Sequence, residues 1–530
     1  MGLLAAGSGL YLAASPAAAA PTGTFVPMDA ANEPSGVAQG VRPGRVAWAF
    51  DPDATSWNGT GPWWQNTHND QGLIDAMLAD AIRLVADEAT SGAAWSAIFR
   101  HHNVVRGRGQ NDYATGEKIA IKVNLNNRYT GSQIDTSPHV VHALLNELVH
   151  KVGVAQSDIT VFDAQRTGDA IWALRDYCRN TFPDVRYNEV GEWVPDRIQY
   201  GKDLGSDARR LPRVLVNATY LIDVPVLKRH CRPSVDFKDS DGQTGVTLGG
   251  KSHCGTVGSC GALHYDLRDW NQPGPSYNPL VDIWASPEVG GKLLISIMDA
   301  LYGGDQYNAV PKRWKLAPFN DDWPSSLLVS MDKVALDSVG LDFLRAEMDL
   351  TARADNYLHE AAVAHQAPSG HVYASASLGV HEHWNDAVNK QYSRNLGTGD
   401  GIELLRVGDV EPGGGGGSGG SGGVGGAAGG EAGAAGGTGG GSAGGGAGGG
   451  AGGTSTSPSG GTGGSGATGG TSAAGGTPTH PATGGSAADP GADQSGCSCS
   501  VPGQPKRGGM MLLLAIGAIL LIRRDRSRIG

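Results

Sequence analysis

The 530-residue chain is short of positive charge outside its last segment, and it has no signature of a familiar catalytic family. Its formal net charge is −11. Lys506, Arg507, Arg523, Arg524, Arg526 and Arg528 stand near the C-terminus against Asp525 alone, so the rest of the chain is more acidic than the total suggests. An acidic body with no basic stripe argues against nucleic acid as a partner. No Gly-x-Ser-x-Gly elbow, no His-Glu-x-x-His and no clean dinucleotide fingerprint occurs. Those absences weigh against hydrolase, zinc-protease and dehydrogenase chemistry. From 411 to 495 large apolar and aromatic side chains are almost missing, and many of the 84 glycines fall there. Such a stretch cannot bury a core and is expected to be a disordered stalk. As a coil it would reach ~50 Å, serving distance and mobility rather than chemistry.

Positive charge is also missing ahead of the N-terminal apolar run Leu3 to Ala14. That run, with small Ala17 and Ala19 behind it, reads as a signal peptide over 1–19, cleaved before Ala20. The missing cation fits a start codon placed too late, or an amino terminus that supplies the charge alone. At the other end, Met510 to Ile522 is apolar and closed by Arg523 and Arg524. As a helix over 510–522 it would be only ~20 Å long against a hydrocarbon core of ~30 Å. It suits a segment that is recognised and processed, with the arginines holding its end in the cytoplasm.

The tail 496–530 joins Cys497-Ser-Cys499, a short apolar helix and an arginine cluster in that order. It resembles the myxobacterial C-terminal sorting signal (MYXO-CTERM). The resemblance implies processing or modification at Cys497 or Cys499 by export and sorting machinery. It also implies delivery to the cell surface or outer envelope, with the tail in the membrane at least transiently. The alternative is an ordinary, slightly short membrane anchor.

The foldable body runs from 20 to 410. Lys118 to Asn124, Asp158 to Asp163, Arg213 to Asn217, Tyr220 to Leu227, Leu293 to Met298 and Leu327 to Ser330 are short apolar runs expected as strands. Between them Ser137 caps and Pro138 opens a helical pattern that Gly153 stops, a helix is expected near Asp169 to Arg179, and Lys333 to Met348 is helical. This alternation predicts an α/β fold: a mostly parallel sheet with helices on both faces. Lys238 to Asn278 and Tyr302 to Pro324 are long irregular insertions. Loops of that length are usually functional or disordered, and their Trp, His and Cys content favours order.

Several motifs arrive in a set order: Lys122-Val-Asn124-Leu-Asn126, Thr136-Ser137-Pro138-His139, Asp158-Ile-Thr-Val-Phe-Asp163, Asp223-Val-Pro-Val-Leu-Lys228-Arg-His230, Gly245-Val-Thr-Leu-Gly-Gly-Lys251-Ser-His253 and Met331-Asp332-Lys-Val-Ala-Leu-Asp337-Ser-Val-Gly340. Together they resemble the domain of unknown function 362 family over about Lys118 to Leu404. The resemblance implies no activity. Some members carry ferredoxin-type iron–sulfur modules, but no Cys-x-x-Cys-x-x-Cys run occurs here, so an iron–sulfur cluster is not expected.

In open α/β sheets ligands bind beyond the carboxyl ends of strands. That rule nominates Asn124, Asn126, Asp163, Lys228 and His230, with Arg166, Asp299 and Asp332 nearby. The glycine cluster adds Lys251 and His253, although its spacing is not that of a P-loop. Amides, cations, imidazoles and carboxylates suit a small polar or anionic ligand, or a hard metal held by oxygen. Each group alone is equally readable as a turn former or cap. Cys254 and Cys260 are close enough to bridge in an oxidising compartment, and the surrounding His and Cys residues could instead hold zinc. His381 and His383, two apart, share one side of an extended strand and are candidate ligands for a divalent metal, with Glu382 facing away. His359 and Glu360 read as a solvated helix face. Three functions stay open: a surface-displayed protein binding a small ligand, a metal-dependent enzyme, and a non-enzymatic envelope or adhesion module.

Overall fold

The computed structural model describes residues 33–166, 168–230, 245–260, 263, 277–348, 355–367 and 373–413. The expected signal peptide, all but the start of the stalk, the sorting tail with Cys497 and Cys499, and Cys231 and His264 lie outside the described residues. Among the described residues no helix is long and apolar enough to cross a membrane.

The chain opens with β1 (Ser35–Gly36) and β2 (Arg45–Phe50). Asp70 then caps α1 (Gln71–Ala86) by accepting from Leu73 N, and Thr90 caps α2 (Ser91–Val105). Next come β3 (Ile119–Val123) and α3 (Pro138–Glu147), where Ser137 is the N-cap. A π-turn continues α3 to Val152, and Gly153 ends it at φ +83°, a left-handed conformation natural to glycine. β4 (Ile159–Phe162), α4 (Trp172–Cys178), β5 (Arg186–Tyr187), β6 (Trp193–Val194) and β7 (Leu211–Pro212) follow.

Arg213–Asn217, expected as a strand, is the short helix α5. Only Leu215 of that segment is buried, which is what one helical turn offers a core. The expected strand Tyr220 to Leu227 divides into β8 (Tyr220–Val224) and β9 (Val226–Arg229). Pro225 lies between them without an N–H, and its carbonyl accepts from Asp299 N at 2.8 Å. Then come β10 (Val246–Thr247), α6 (Gly249–Ser252), α7 (Pro279–Ala285), β11 (Leu293–Gly304), β12 (Ser326–Ser330), α8 (Lys333–Met348), α9 (Asn356–Ala362), β13 (Val380–His381), α10 (Ser393–Leu396) and β14 (Glu403–Arg406).

The main sheet runs β14-β2-β12-β11-β8-β3-β4-β5, with β9 and β10 attached beside β11. Its pairs are parallel except where β12 meets β11 and β2, and where β10 meets β9. The expected α/β fold is therefore present. Side-chain alternation divides the core in two. Ile119, Ile121, Ile159, Val161, Ile222 and Ile295 pack with α1 to α4 on one face. Ala120, Phe162, Leu221 and Met298 pack with α7 to α9 on the other. The carboxyl ends of β3, β4 and β8 lie side by side, and the candidate site is built there.

Candidate ligand-binding site

On the face shared by Ala120 and Leu221, alternation puts Lys122 and Asp223 at positions that ought to be apolar. They are register partners on β3 and β8, and both are wholly buried. A buried charge must find partners. The Lys122 ammonium donates to Val123 O at 2.6 Å, and lies 3.4 Å from both Asp163 Oδ2 and Ser252 Oγ. Ser252 Oγ in turn donates to Asp223 Oδ1 at 3.1 Å. Asp163 is held by Leu125 N at 3.2 Å and Gln165 N at 3.1 Å. Gly255 passes so close that an added Cβ would lie 2.6 Å from Asp163 Oδ1 and 2.7 Å from the Lys122 ammonium. Glycine is required there for space, not for backbone conformation.

Three buried polar atoms at these strand ends make no hydrogen bond among the described residues: Asp223 Oδ2, His253 Nε2 and Asn124 Oδ1. The first two face each other at 3.7 Å. The other ring nitrogen of His253 is engaged, 3.1 Å from Thr256 Oγ1. Burial pushes the Asp223 carboxyl up to about 8, against the opposing pull of Lys122. Burial, with Lys122 adding to it, lowers His253 to about 3. At neutral pH a protonated carboxyl therefore faces a neutral imidazole, a donor beside an acceptor.

The other nominated residues are distributed differently. Lys228 donates to Ile134 O at 2.6 Å, and its charge favours the ionised forms of buried Asp135 and Asp299. Asp135 accepts from Asn127 N and Tyr129 N, both at 2.9 Å, while Asp299 accepts from Ser137 N at 2.6 Å. Lys228 thus organises the turn after β3. His230 Nδ1 lies 2.9 Å from Thr247 Oγ1 across the β9–β10 pair. Asn126 is half-buried, with its Oδ1 accepting from Arg166 at 3.2 Å. Asp332 is a helix cap, accepting from Val334 N at 3.1 Å and Ala335 N at 3.0 Å.

The glycine cluster is already filled. Gly249 N and Gly250 N donate to the two oxygens of Asp337 at 2.8 and 2.9 Å, and Tyr357 OH donates to the same carboxylate at 2.9 Å. The amide cradle that could take an anion holds the chain's own carboxylate. The Lys251 ammonium lies 3.1 Å from Cys254 Sγ and 3.6 Å from Cys260 Sγ. Cys254 and Cys260 are thiols here, so the bridge their spacing allows is not made.

The two histidines of the His381–His383 pair have different surroundings. Glu382 does face away, accepting from Ser393 N at 2.7 Å. His381 Nδ1 lies 2.8 Å from Ser338 Oγ. His383, however, is clamped: its Nδ1 is 2.7 Å from Asp342 Oδ1, and its Nε2 is 3.2 Å from the Arg345 guanidinium. Asp355 Oδ2 lies 3.5 Å from the same Nε2. Among the described residues, Asp355, His359 and His381 form a group whose ligand atoms could meet at one ion. Glu360 is not a solvated face; it is buried and accepts from Asn278 N at 2.9 Å.

Lys122, Asp223, Ser252 and Asp337 stand inside the ordered motifs, yet strand-end reasoning does not nominate them. Their signal is present in part, as a charge in phase with the apolar face of a buried strand. Residues 119–342 match the family model described as Domain of unknown function (DUF362). The matched segment contains the whole Lys122–Asp163–Asp223–Ser252–His253 cluster and ends before Asp355. No curated protein matches the chain.

Proposed function

Because residues 119–342 belong to the domain of unknown function 362 family, whose name assigns no activity, we propose a function from the site itself. The chain binds a small polar ligand at the strand ends through Asp223, His253 and Asn124. The observation that carries this is the pair Asp223 Oδ2 and His253 Nε2, buried, 3.7 Å apart and without hydrogen bonds among the described residues. Leaving such groups unmet costs about 1–3 kcal/mol each, which a ligand offering a donor and an acceptor recovers. A neutral polar ligand is favoured over an anion. Lys122, Lys228 and Lys251 already have partners, and Asp337 occupies the glycine amides. A protonated Asp223 beside a neutral His253 also equips the pair to pass a proton to or from the ligand.

The test is a thermal-shift panel of sugars, polyols, amino acids and nucleosides on the full chain, with calorimetry of any hit in buffers of different ionisation enthalpy. Asp223→Asn and His253→Gln should each weaken binding about tenfold or more, the effect of losing one hydrogen bond of ~1.4 kcal/mol. Hits that bind both variants unchanged, or a response to anions alone, refute it. The two ends support export and display at the cell surface as the setting. Surface labelling of intact cells tests that, and a protein found only in the cytoplasmic fraction refutes it.

A further inference from the structure

We infer that Asp355, His359 and His381 form a second site, one that holds a divalent transition metal of the zinc class. Their ligand atoms all lie within 4.8 Å of one another. Two imidazoles and a carboxylate, with no thiolate, are the donor set of an open zinc-type centre with a position left for water or substrate.

The three side chains come from two separate elements and are held from behind. Asp355 precedes α9 and His359 lies one turn into it, so their i, i+4 spacing puts both on one side of the helix. β13 brings His381 against them, its ring centroid 4.4 Å from that of His359. The Ser338 hydroxyl, from α8, lies at His381 Nδ1, which orients the ring as a supporting partner does behind a metal-bound histidine. Asp355 and His381 are buried, whereas the His359 side chain is 36% exposed. Solvent therefore reaches the cluster through His359, and an ion has a way in.

Charge is consistent with a cation. Asp355 Oδ2 lies 2.8 Å from the Arg345 guanidinium and 3.8 Å from His359 Nε2. Arg345 alone would repel an ion, but Asp342 lies behind His383 at 2.7 Å and adds a second negative charge to the group. In a zinc site with bonds of about 2.0–2.1 Å, ligand atoms stand roughly 3.3 Å apart. The present spread closes to that by rotation of the partly exposed His359. The site is separate from the Asp223–His253 pair. Neighbouring residues on α8 serve the two regions, Asp337 at the glycine cluster and Ser338 at His381.

The test uses the full, untagged chain, stripped of metal with a chelator and titrated with Co²⁺ and then Zn²⁺. One equivalent of Co²⁺ is expected, with visible d–d bands and no thiolate-to-cobalt charge transfer. Zn²⁺ should displace it. His359→Gln should lower the affinity at least tenfold, and Ser338→Ala, which removes the hydroxyl at His381 Nδ1, by about 10–100-fold. Because His381→Gln alters a buried residue that the fold uses, the half-exposed His359→Gln decides the matter, with circular dichroism confirming its fold. Failure to take up metal overturns the inference. So does a thiolate charge-transfer band, which would place the ion at the cysteines, or binding that His359→Gln leaves unchanged.

Discussion

Replacing Asp223 with asparagine tests the electrostatics of the strand-end cluster directly. The substitution keeps the shape of the side chain and removes its titration. In the folded chain burial raises the Asp223 carboxyl from 3.8 to about 8. Above 3.8 the unfolded chain releases this proton while the folded chain retains it. The folded state then binds more protons, so stability falls as pH rises, until the folded group also ionises near 8. Every tenfold weakening of the acid corresponds to about 1.4 kcal/mol, so the whole effect has a ceiling on the order of 5 kcal/mol. Between pH 5 and 7 the wild type should lose about 2–3 kcal/mol relative to Asp223→Asn. Asp337, raised to about 7, and Asp135 and Asp299, raised to about 6, slope the same way by burial, but they remain in both chains and cancel in the difference. Urea unfolding at pH 5, 6, 7 and 8 measures it. All 12 tryptophans lie in the body, so their fluorescence reports its unfolding and not the stalk. A difference that is flat over this range, or that favours the wild type as pH rises, refutes the reasoning.

Three further substitutions follow from the packing. Gly255→Ala drives a methyl between Asp163 and Lys122 and should destabilise the chain by about 1–3 kcal/mol, seen as a lower Tm; an unchanged Tm would mean the ion pair is not confined by that backbone. Asp337→Ala strips acceptors from Gly249 N, Gly250 N and Tyr357 OH and should cost about 3 kcal/mol in denaturant unfolding, while Asp337→Asn should cost less because an acceptor oxygen survives. Equal losses for the two would deny the cradle its role. Ser137→Ala removes the cap of α3 and should cost about 1 kcal/mol, read by the same titration.

The strands that carry the site are legible in the sequence because they are fully buried and therefore mostly apolar. β3, β4 and β12 lie within a residue of their expected bounds, and α8 spans Lys333–Met348 as its periodicity requires. Arg213–Asn217 defeats the same reasoning because three apolar residues in a five-residue segment fit one helical turn as well as a strand. The site is legible only as a neighbourhood. Strand-end reasoning finds Asn124 and Asp163, and the glycine cluster adds His253, but the rule looks beyond the strands and so passes over Lys122 and Asp223, one residue inside them. His381 and Glu382 behave as an extended strand dictates. The His383 ring nitrogens meet Asp342 and Arg345, partners distant in sequence that no local pattern reveals.

By itself the sequence determined the fold class, the order of its main elements and the match of residues 119–342 to one family model. It could do so because strand and helix periodicity, caps and ordered motifs are local properties. Only the tertiary structure decided which polar groups are satisfied. It turned the glycine cluster from a candidate anion site into a seat for Asp337 and placed Cys254 and Cys260 about Lys251. It left Asp223 facing His253 and brought Asp355 and His359 to His381 as a metal-capable set. The physical reason is that hydrogen bonding and desolvation depend on partners brought together from distant parts of the chain.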